Sequence, residues 1–186
     1  WIYQLFNIIT VDSLKLVDDA IVLNRKAWEV YTPQANYLVM EGGYNADSYY
    51  AEKMEIRERK NIVYSGSLNE YSGVHELIEA MDYVEDINIE LDIYGDGYLR
   101  DYVKNRCNDR IHYYGMIPNK EMIEVQRNAW ALISPRPVED PIAMVTFPSK
   151  IFEYMTSGTP VISTRLNGFL PEYEGLLMFA ESNEPR

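Results

Sequence analysis

The sequence is poor in the residues that several kinds of site require. Its 186 residues include one cysteine, Cys107, and two histidines. A single cysteine excludes an internal disulfide and any cysteine-rich zinc module. No apolar run approaches the roughly 18 residues that a membrane-spanning helix needs, and no cleavable signal pattern is present. The sequence therefore predicts no segment that crosses a membrane.

Positive charge is also scarce. Lysine and arginine total 17 against 29 aspartates and glutamates, which gives a formal net charge of −12. This balance argues against a nucleic-acid partner, because a phosphate backbone must be met by a basic face. It argues equally against contact between this segment and an anionic membrane. The chain begins with Trp1 instead of methionine, so we expect a piece of a longer protein.

Short apolar runs alternate with helical patterns along the chain, as expected for parallel strands joined by helices. The predicted strands are Ala20 to Leu23, Tyr37 to Met40, Asn61 to Tyr64, Ile87 to Tyr94, Arg110 to Tyr114, Ala131 to Ser134, Pro160 to Ser163 and Leu176 to Phe179. The predicted helices are Arg25 to Tyr31, Gly73 to Val84, Tyr98 to Asn108, Lys120 to Asn128 and Ser149 to Ser157. The alternation predicts an α/β fold with a doubly wound, Rossmann-like parallel sheet.

The two ends of the chain differ from this regular pattern. Residues 1–40 read as the tail of a preceding domain with the linker into this one, and residues 41–186 as the main domain. The chain stops shortly after its last predicted strand, where a closing helix is expected. We therefore expect that end to be truncated as well.

A parallel sheet of this kind binds ligands outside the carboxyl ends of its strands. Four of the loops that follow predicted strands carry glycine or proline, namely 65–69, 95–97, 115–118 and 135–137. Turn chemistry alone explains any one of them. The segment Gly95-Asp96-Gly97, for example, lacks the third glycine of a dinucleotide fingerprint.

The most informative stretch is residues 146–162. On a helical wheel, Ile151, Phe152 and Met155 are predicted to pack on the sheet. Lys150, Glu153 and Ser157 are then predicted to form a solvent-facing stripe on the opposite side. A lysine in a first turn costs roughly 0.3–1 kcal/mol, which a bound anion would offset. An ordinary surface ion pair explains it equally well.

This stretch resembles the donor-site helix of retaining GT-B glycosyltransferases, especially family 4. The matching segments are Glu153-Tyr154-Met155 and Gly158-Thr159-Pro160-Val161-Ile162. The prefix Phe147-Pro148-Ser149-Lys150 resembles a bacterial polysaccharide-biosynthesis subgroup. Earlier blocks, at 65–68, 93–97 and 114–117, follow in the family order. The resemblance covers roughly residues 20 to 180.

The resemblance implies a role for each matching position. Glu153 would bind the ribose hydroxyls of a nucleotide sugar, and backbone N–H groups of Ser149 and Lys150 would bind the diphosphate. Backbone around Met116 and Ile117 would contact the base. The other positions to which the resemblance gives a role are Gly95 on the nucleotide side, the Gly66-Ser67 loop on the phosphate side, and Gly42-Gly43 lining an interdomain cleft near the phosphates.

Three positions depart from the family pattern. The family's phosphate-binding arginine and lysine fall on Ser67 and Ser72, and its first glutamate falls on Val145. We expect Arg136 and Lys150 to replace the missing cations. Glu139 or Asp140 would take over contact with the sugar, although a solvated loop is the simpler explanation of that pair. No Asp-x-Asp pair occurs, so neither a metal nor another cofactor is expected.

The function that the resemblance implies is transfer of a sugar, of hexosyl type and with retention, to an acceptor hydroxyl in cell-surface polysaccharide synthesis. The partners are a nucleotide sugar and the protein's own N-terminal domain, so this segment alone should bind donor without turning it over. The expected location is the cytoplasm, and a position of the full-length protein on the inner face of the membrane stays open. Two alternatives stay open: a nucleotide-sugar epimerase on the same scaffold, which would need more histidines and acids, or a non-catalytic interaction domain.

Overall fold

The computed structural model of the chain describes residues 12–43, 59–139 and 141–180. The strands within these ranges are β1 (Asp19–Val22), β2 (Asn36–Val39), β3 (Lys60–Ser65), β4 (Ile89–Tyr94), β5 (Ile111–Gly115), β6 (Ala131–Ser134), β7 (Val161–Thr164) and β8 (Met178–Ala180). The α-helices are α1 (Arg25–Tyr31), α2 (Val74–Ala80), α3 (Arg100–Asn105), α4 (Asn119–Asn128), α5 (Pro141–Val145) and α6 (Lys150–Thr156). Short 3₁₀ turns at Met81–Tyr83 and Pro171–Tyr173 complete the set.

The main sheet has six parallel strands in the order β5-β4-β3-β6-β7-β8. The chain runs outward from β3 to β5, returns through α4 to β6 beside β3, and then runs outward to β8. The predicted doubly wound α/β fold is therefore confirmed. Its strand order reverses between β3 and β6, and such switch points open a crevice at the carboxyl ends of the strands.

Alternate residues of the central strands supply the two faces of this sheet. Val63 belongs to the core cluster beneath α4 and α6, whereas its neighbour Tyr64 belongs to the cluster beneath α2 and α3. The same alternation places Leu132 in the first cluster and Ile133 against the second. Because side chains of a strand alternate between faces, both sides of the sheet are buried by helices.

A separate two-stranded parallel sheet is formed by β1 and β2, with α1 between them in sequence. The side chain of Asn24 caps α1 by accepting from the Ala27 N–H at 2.8 Å. Its amide also donates to the Thr146 carbonyl at 3.2 Å, which ties this part to the segment before α6. The predicted boundary after residue 40 stays a prediction, since residues 44–58 lie outside the described ranges.

Two differences from the sequence expectation concern short elements. The predicted helix Tyr98 to Asn108 is shortened to Arg100–Asn105, and α5 is not among the predicted helices. The expected closing helix would fall beyond β8, where residues 181–186 lie outside the described ranges. In the described part of the chain, no helix is both long and apolar enough to span a bilayer.

The loop before α2 lies directly against the loop after β6. Gly73 has a φ of 74°, in the left-handed region that disfavours side chains. A Cβ placed there would lie 1.9 Å from the Pro135 carbonyl oxygen. Only glycine permits this approach, which places the Pro135–Arg136 backbone beside the loop that follows β3.

We expect Gly73→Ala to lower the free energy of unfolding by about 3 kcal/mol or more, since steric overlap adds to left-handed strain. Gly175→Ala is the matched control, because Gly175 has a φ of 81° and a Cβ there would have no neighbouring atom within 4 Å. It should cost only about 1–2 kcal/mol. Urea denaturation measures both variants. Equal losses would contradict the close approach of the two loops.

Candidate active site

The loops that follow β3 and β4 run side by side at the carboxyl edge of the sheet. The Gly66 N–H donates to the Tyr94 carbonyl at 3.0 Å, and the Gly95 N–H donates to the Gly115 carbonyl at 2.8 Å. Gly95 has a φ of 134°, and a Cβ there would lie 1.8 Å from the Gly66 carbonyl oxygen. Gly95 is therefore required for the packing of these loops, whatever it contacts in a ligand.

A first cleft of about 290 Å³ opens between the loop after β3, the loop after β6 and the start of α6. Five of the predicted site residues line it: Gly66, Ser67, Arg136, Ser149 and Lys150. The fold thus brings together the predicted phosphate-binding residues. The other lining residues are Tyr64, Ser65, Asn69, Tyr71, Ser72, Ile133, Ser134, Pro135, Phe147, Pro148 and Tyr154.

The walls of the first cleft are fixed by buried polar contacts. The Tyr64 hydroxyl donates to the Ser67 carbonyl at 2.8 Å, and burial raises the pKa of Tyr64 to about 12, so this donor keeps its proton at neutral pH. On the opposite wall the Thr164 hydroxyl donates to the Arg136 carbonyl at 2.5 Å. The backbone that carries the Arg136 guanidinium is therefore held in place.

A second cleft of about 210 Å³ adjoins the first. It is lined by Glu41, Gly42, Gly43, Ser149, Lys150, Phe152 and Glu153. Ser149 and Lys150 line both clefts, so the start of α6 forms the wall between them. The predicted ribose-binding residue Glu153 therefore lines the second cleft, whereas Gly66, Ser67 and Arg136 line the first.

The Glu153 carboxylate is held by two donors. The Lys150 ammonium lies 3.1 Å from both of its oxygens, and the Gln126 amide donates to Oε1. Only 13% of the Glu153 side chain is exposed, compared with 42% for Lys150. Ser157 is buried as well. The predicted solvent-facing stripe is therefore wrong for Glu153 and Ser157 and holds only for Lys150; the α4 side chain Gln126 lies against Glu153.

The buried side of α6 also differs from the prediction. Ile151 is fully buried as expected, but Tyr154 takes the place beside it, while Phe152 and Met155 are only half-buried at the margin of the core. The Tyr154 hydroxyl donates to the Ser65 carbonyl at 3.1 Å and accepts from the Ser65 N–H at 2.9 Å. Burial holds the pKa of Tyr154 well above its usual range. This hydroxyl thus supplies hydrogen-bond partners inside the core to the backbone N–H and carbonyl at the end of β3.

Glu41 places a further carboxylate at the second cleft. The Tyr173 hydroxyl donates to Glu41 Oε2 at 2.8 Å. Burial raises the pKa of Glu41, while the bond from Tyr173 opposes that shift and the charge of Glu172 adds to it. Gly42 follows, and a Cβ there would lie 3.1 Å from the Phe152 ring. The predicted Gly42-Gly43 segment therefore packs against α6.

The remaining predicted residues line neither of these two clefts. Met116 is 76% exposed, and Ile117 packs against the core cluster of α4 and α6. Glu139 is exposed, and Asp140 lies outside the described residues. Val145 is half-buried in α5. The roles of Gly95, Met116, Ile117 and Glu139 stay predictions.

Reasoning from the sequence missed three residues that line the first cleft, Tyr64, Tyr71 and Tyr154, and it missed Gln126, which lies behind Glu153. Tyr154 lies three residues after Ile151, and Gln126 lies four residues after the buried Met122. Both spacings predict a core-facing position, but the polar ends of the two side chains concealed it. Tyr64 and Tyr71 had no distinguishing signal among the 16 tyrosines of the chain.

Within the described residues, one group has the geometry to hold a metal ion: Glu90, Asp92 and His112. Arg59 already occupies both carboxylates, donating to both oxygens of Asp92 at 2.9 Å and pairing with Glu90. This arginine lowers the pKa of Glu90. His112 bonds to Glu90 at 3.0 Å. The donor set is thus taken up by an internal cation, in keeping with a structural role.

Residues 59–185 match the family model of glycosyl transferases group 1. This chain belongs to that family. An uncharacterized glycosyltransferase of Methanocaldococcus jannaschii is 24% identical over 180 residues, which are 87% of this chain and 45% of that protein. Of the three interpretations of the sequence, membership of this family supports the glycosyltransferase one.

Solved structures agree on the fold. HepE of Anabaena, in complex with UDP and glucose, has a TM-score of 0.70 at 16% identity, covering 95% of this chain and 53% of its own. Sucrose-phosphate synthase of Thermosynechococcus elongatus has a TM-score of 0.71 at 18% identity, covering 92% of this chain and 47% of its own. The chain therefore spans about half the length of the relatives it matches, and its α/β fold is that of GT-B glycosyltransferases.

The buried bond between Tyr154 and Ser65 predicts a stability effect. Tyr154→Phe should lower the free energy of unfolding by about 1–3 kcal/mol, because the Ser65 N–H would lose its buried acceptor. Tyr98→Phe is the control, since that ring is 86% exposed and its loss of a hydroxyl should change little. Urea denaturation compares the two variants. Equal midpoints would contradict a structural role for the Tyr154 hydroxyl.

Proposed function

We propose that this chain binds the nucleoside diphosphate sugar donor of a retaining, family 4-like GT-B glycosyltransferase and forms its C-terminal half. The observation that supports this most directly is the position of Lys150 between two clefts. Arg136, Ser149 and the Gly66-Ser67 loop line one cleft, and Glu153 lies in the other. A diphosphate joined to a ribose needs this pairing of a cationic and an acidic subsite.

The first cleft binds the diphosphate in this proposal. Arg136 and Lys150 supply positive charge in a chain whose net charge is −12. The backbone N–H groups of Ser149 and Lys150 donate no hydrogen bond within the described part of the chain, so they remain available to phosphate oxygens. Because α6 has only seven residues, the two side-chain cations carry most of this interaction.

The second cleft binds the ribose. Carboxylate oxygens accept hydrogen bonds from neighbouring hydroxyls, and Glu153 presents a partly exposed carboxylate there. Lys150 pairs with Glu153 when no ligand is bound and turns to the diphosphate when one arrives. The base then lies toward Met116, Ile117 and the Gly95 loop, as the family resemblance implies.

Uracil is the base that we propose. HepE binds UDP and UDP-glucose in its structures, and TarM of S. aureus binds UDP. Their similarity to this chain is one of fold, so the base needs direct measurement. Glu139 is proposed to contact the sugar, which is of hexosyl type.

The reaction breaks the bond between the anomeric carbon and the β-phosphate oxygen. The sugar gains oxocarbenium character, and negative charge develops on the β-phosphate. Arg136 and Lys150 stabilise that charge, while the acceptor oxygen bonds to the anomeric carbon with retention of configuration and its proton passes to the departing β-phosphate oxygen. The relatives are about twice as long as this chain, so we assign acceptor binding and turnover to an N-terminal domain outside it. Synthesis of cell-surface polysaccharide in the cytoplasm is the proposed setting.

We further propose that donor binding needs no metal ion, because side-chain cations supply the positive charge in the first cleft. UDP affinity should therefore be the same with EDTA as with added Mg²⁺. Calorimetric titration in the two buffers measures this. Loss of binding in EDTA that Mg²⁺ restores would contradict the proposal.

Titration of the chain with UDP, GDP and ADP at moderate salt tests the donor site. UDP should bind saturably, and Lys150→Ala, Arg136→Ala and Glu153→Ala should each weaken it by about tenfold or more, since hydrogen bonds to charged groups carry that much free energy. Raising the salt should weaken binding further, because the cleft cations are partly exposed.

Lys120→Ala and Glu121→Ala are the matched controls. Both residues are exposed in the first turn of α4, and neither lines a cleft. The two substitutions therefore remove a positive and a negative charge at positions outside the proposed site. Their UDP affinity should equal that of the unaltered chain. Binding that survives the three cleft substitutions, or no binding of any nucleotide, would contradict the proposed function.

A further inference from the structure

We propose that Gln126 is a positioning residue that orients the Glu153 carboxylate toward the ribose hydroxyls of the donor. This inference rests on the proposed function, because it concerns the same ribose subsite. It adds a residue on α4 that neither touches the ligand nor lies in the segment that resembles the family's donor-site helix. Its physical basis is the way in which the Gln126 amide is held.

The Gln126 side chain is fully buried, and its amide nitrogen has two acceptors. It donates to the Ser65 hydroxyl at 3.2 Å and to Oε1 of Glu153. Rotating the amide by half a turn would bring its carbonyl oxygen against the carboxylate, where two acceptors repel. The orientation of the amide and the position of Oε1 therefore fix one another.

The carbonyl oxygen of Gln126 is buried and has no hydrogen-bond partner among the described residues. A buried acceptor without a partner costs free energy, which an apolar side chain at this position would avoid. Packing alone therefore does not explain an amide here. The contact with Glu153 does, because it gives a functional carboxylate a donor that cannot move away.

Lys150 cannot perform the same task. Its side chain is 42% exposed on a flexible stem, and it lies between the two clefts where the diphosphate is expected. Within the described residues, the hydrogen bond to Glu153 Oε2 comes from Lys150 alone, whereas Oε1 also accepts from Gln126. When Lys150 turns to a phosphate, Oε2 becomes free to accept from a ribose hydroxyl while Gln126 still holds Oε1.

Comparing UDP with 2′-deoxy-UDP isolates this effect, because the two ligands differ only at a ribose hydroxyl. The chain should bind UDP about tenfold more tightly than 2′-deoxy-UDP, as expected for one hydrogen bond to a charged acceptor. Gln126→Leu should reduce that ratio toward one. Met122→Leu, at another buried position of α4, is the matched control and should leave the ratio unchanged.

Two further variants keep the experiment decisive. Gln126→Met replaces the amide with an unbranched apolar side chain if the leucine variant does not fold, and the same loss of the ratio is expected. Glu153→Ala by itself should bring the ratio of the two affinities to one. Adding Gln126→Leu to that variant should change the ratio no further.

The possible outcomes distinguish a failure of the proposed role of Gln126 from a failure of the proposed donor-binding function. If Gln126→Leu weakens UDP and 2′-deoxy-UDP equally, the residue is merely structural and the inference is overturned while the donor site stands. If the unaltered chain binds both nucleotides with equal affinity, the ribose role of Glu153 fails and this inference fails with it. If it binds neither, the proposed function itself is contradicted.

Discussion

The end of β3 is the point on which the described architecture around both clefts depends. There the Ser65 backbone and hydroxyl meet Tyr154 from α6 and Gln126 from α4 inside the core. One serine thus connects the central strand to the two helices that cover this face of the sheet. Because these bonds are buried, they are strong only while all three partners stay in register. The start of α6, which forms the wall between the two clefts, is placed by this constraint.

Close backbone approach supplies the second constraint. Gly95 lies against Gly66, and Gly73 lies against Pro135, so the loops after β3, β4 and β6 pack without side chains between them. Arg136 lies in the last of these loops, directly after Pro135. The family's usual phosphate cations fall on Ser67 and Ser72, which line the same cleft. The fold brings Arg136, a cation from another loop, to the cleft that these serines line.

Sequence patterns predicted the order and type of the elements because strand and helix periodicities are local properties. All eight predicted strands are present, and the strand at Ala131–Ser134 matches residue for residue. The five predicted helices are also present, with ends shifted by a few residues. The prediction that Glu153 and Ser157 face solvent on α6 was wrong, because the exposure of a side chain depends on which other elements pack against it. A wheel for α6 alone contains no information about Gln126 on α4.

The separation of two residues along the chain decides whether their contact in the site can be predicted from the sequence. Lys150 and Glu153 are neighbours on one helix, so their pairing follows from spacing. Gln126 lies 27 residues before Glu153, on another helix, and only the folded chain reveals that Oε1 has two donors and Oε2 one. This asymmetry matters chemically. In the proposed ribose site, a carboxylate held at one oxygen by a buried amide keeps its orientation when Lys150 turns to the diphosphate, so a preorganised acceptor costs little to use.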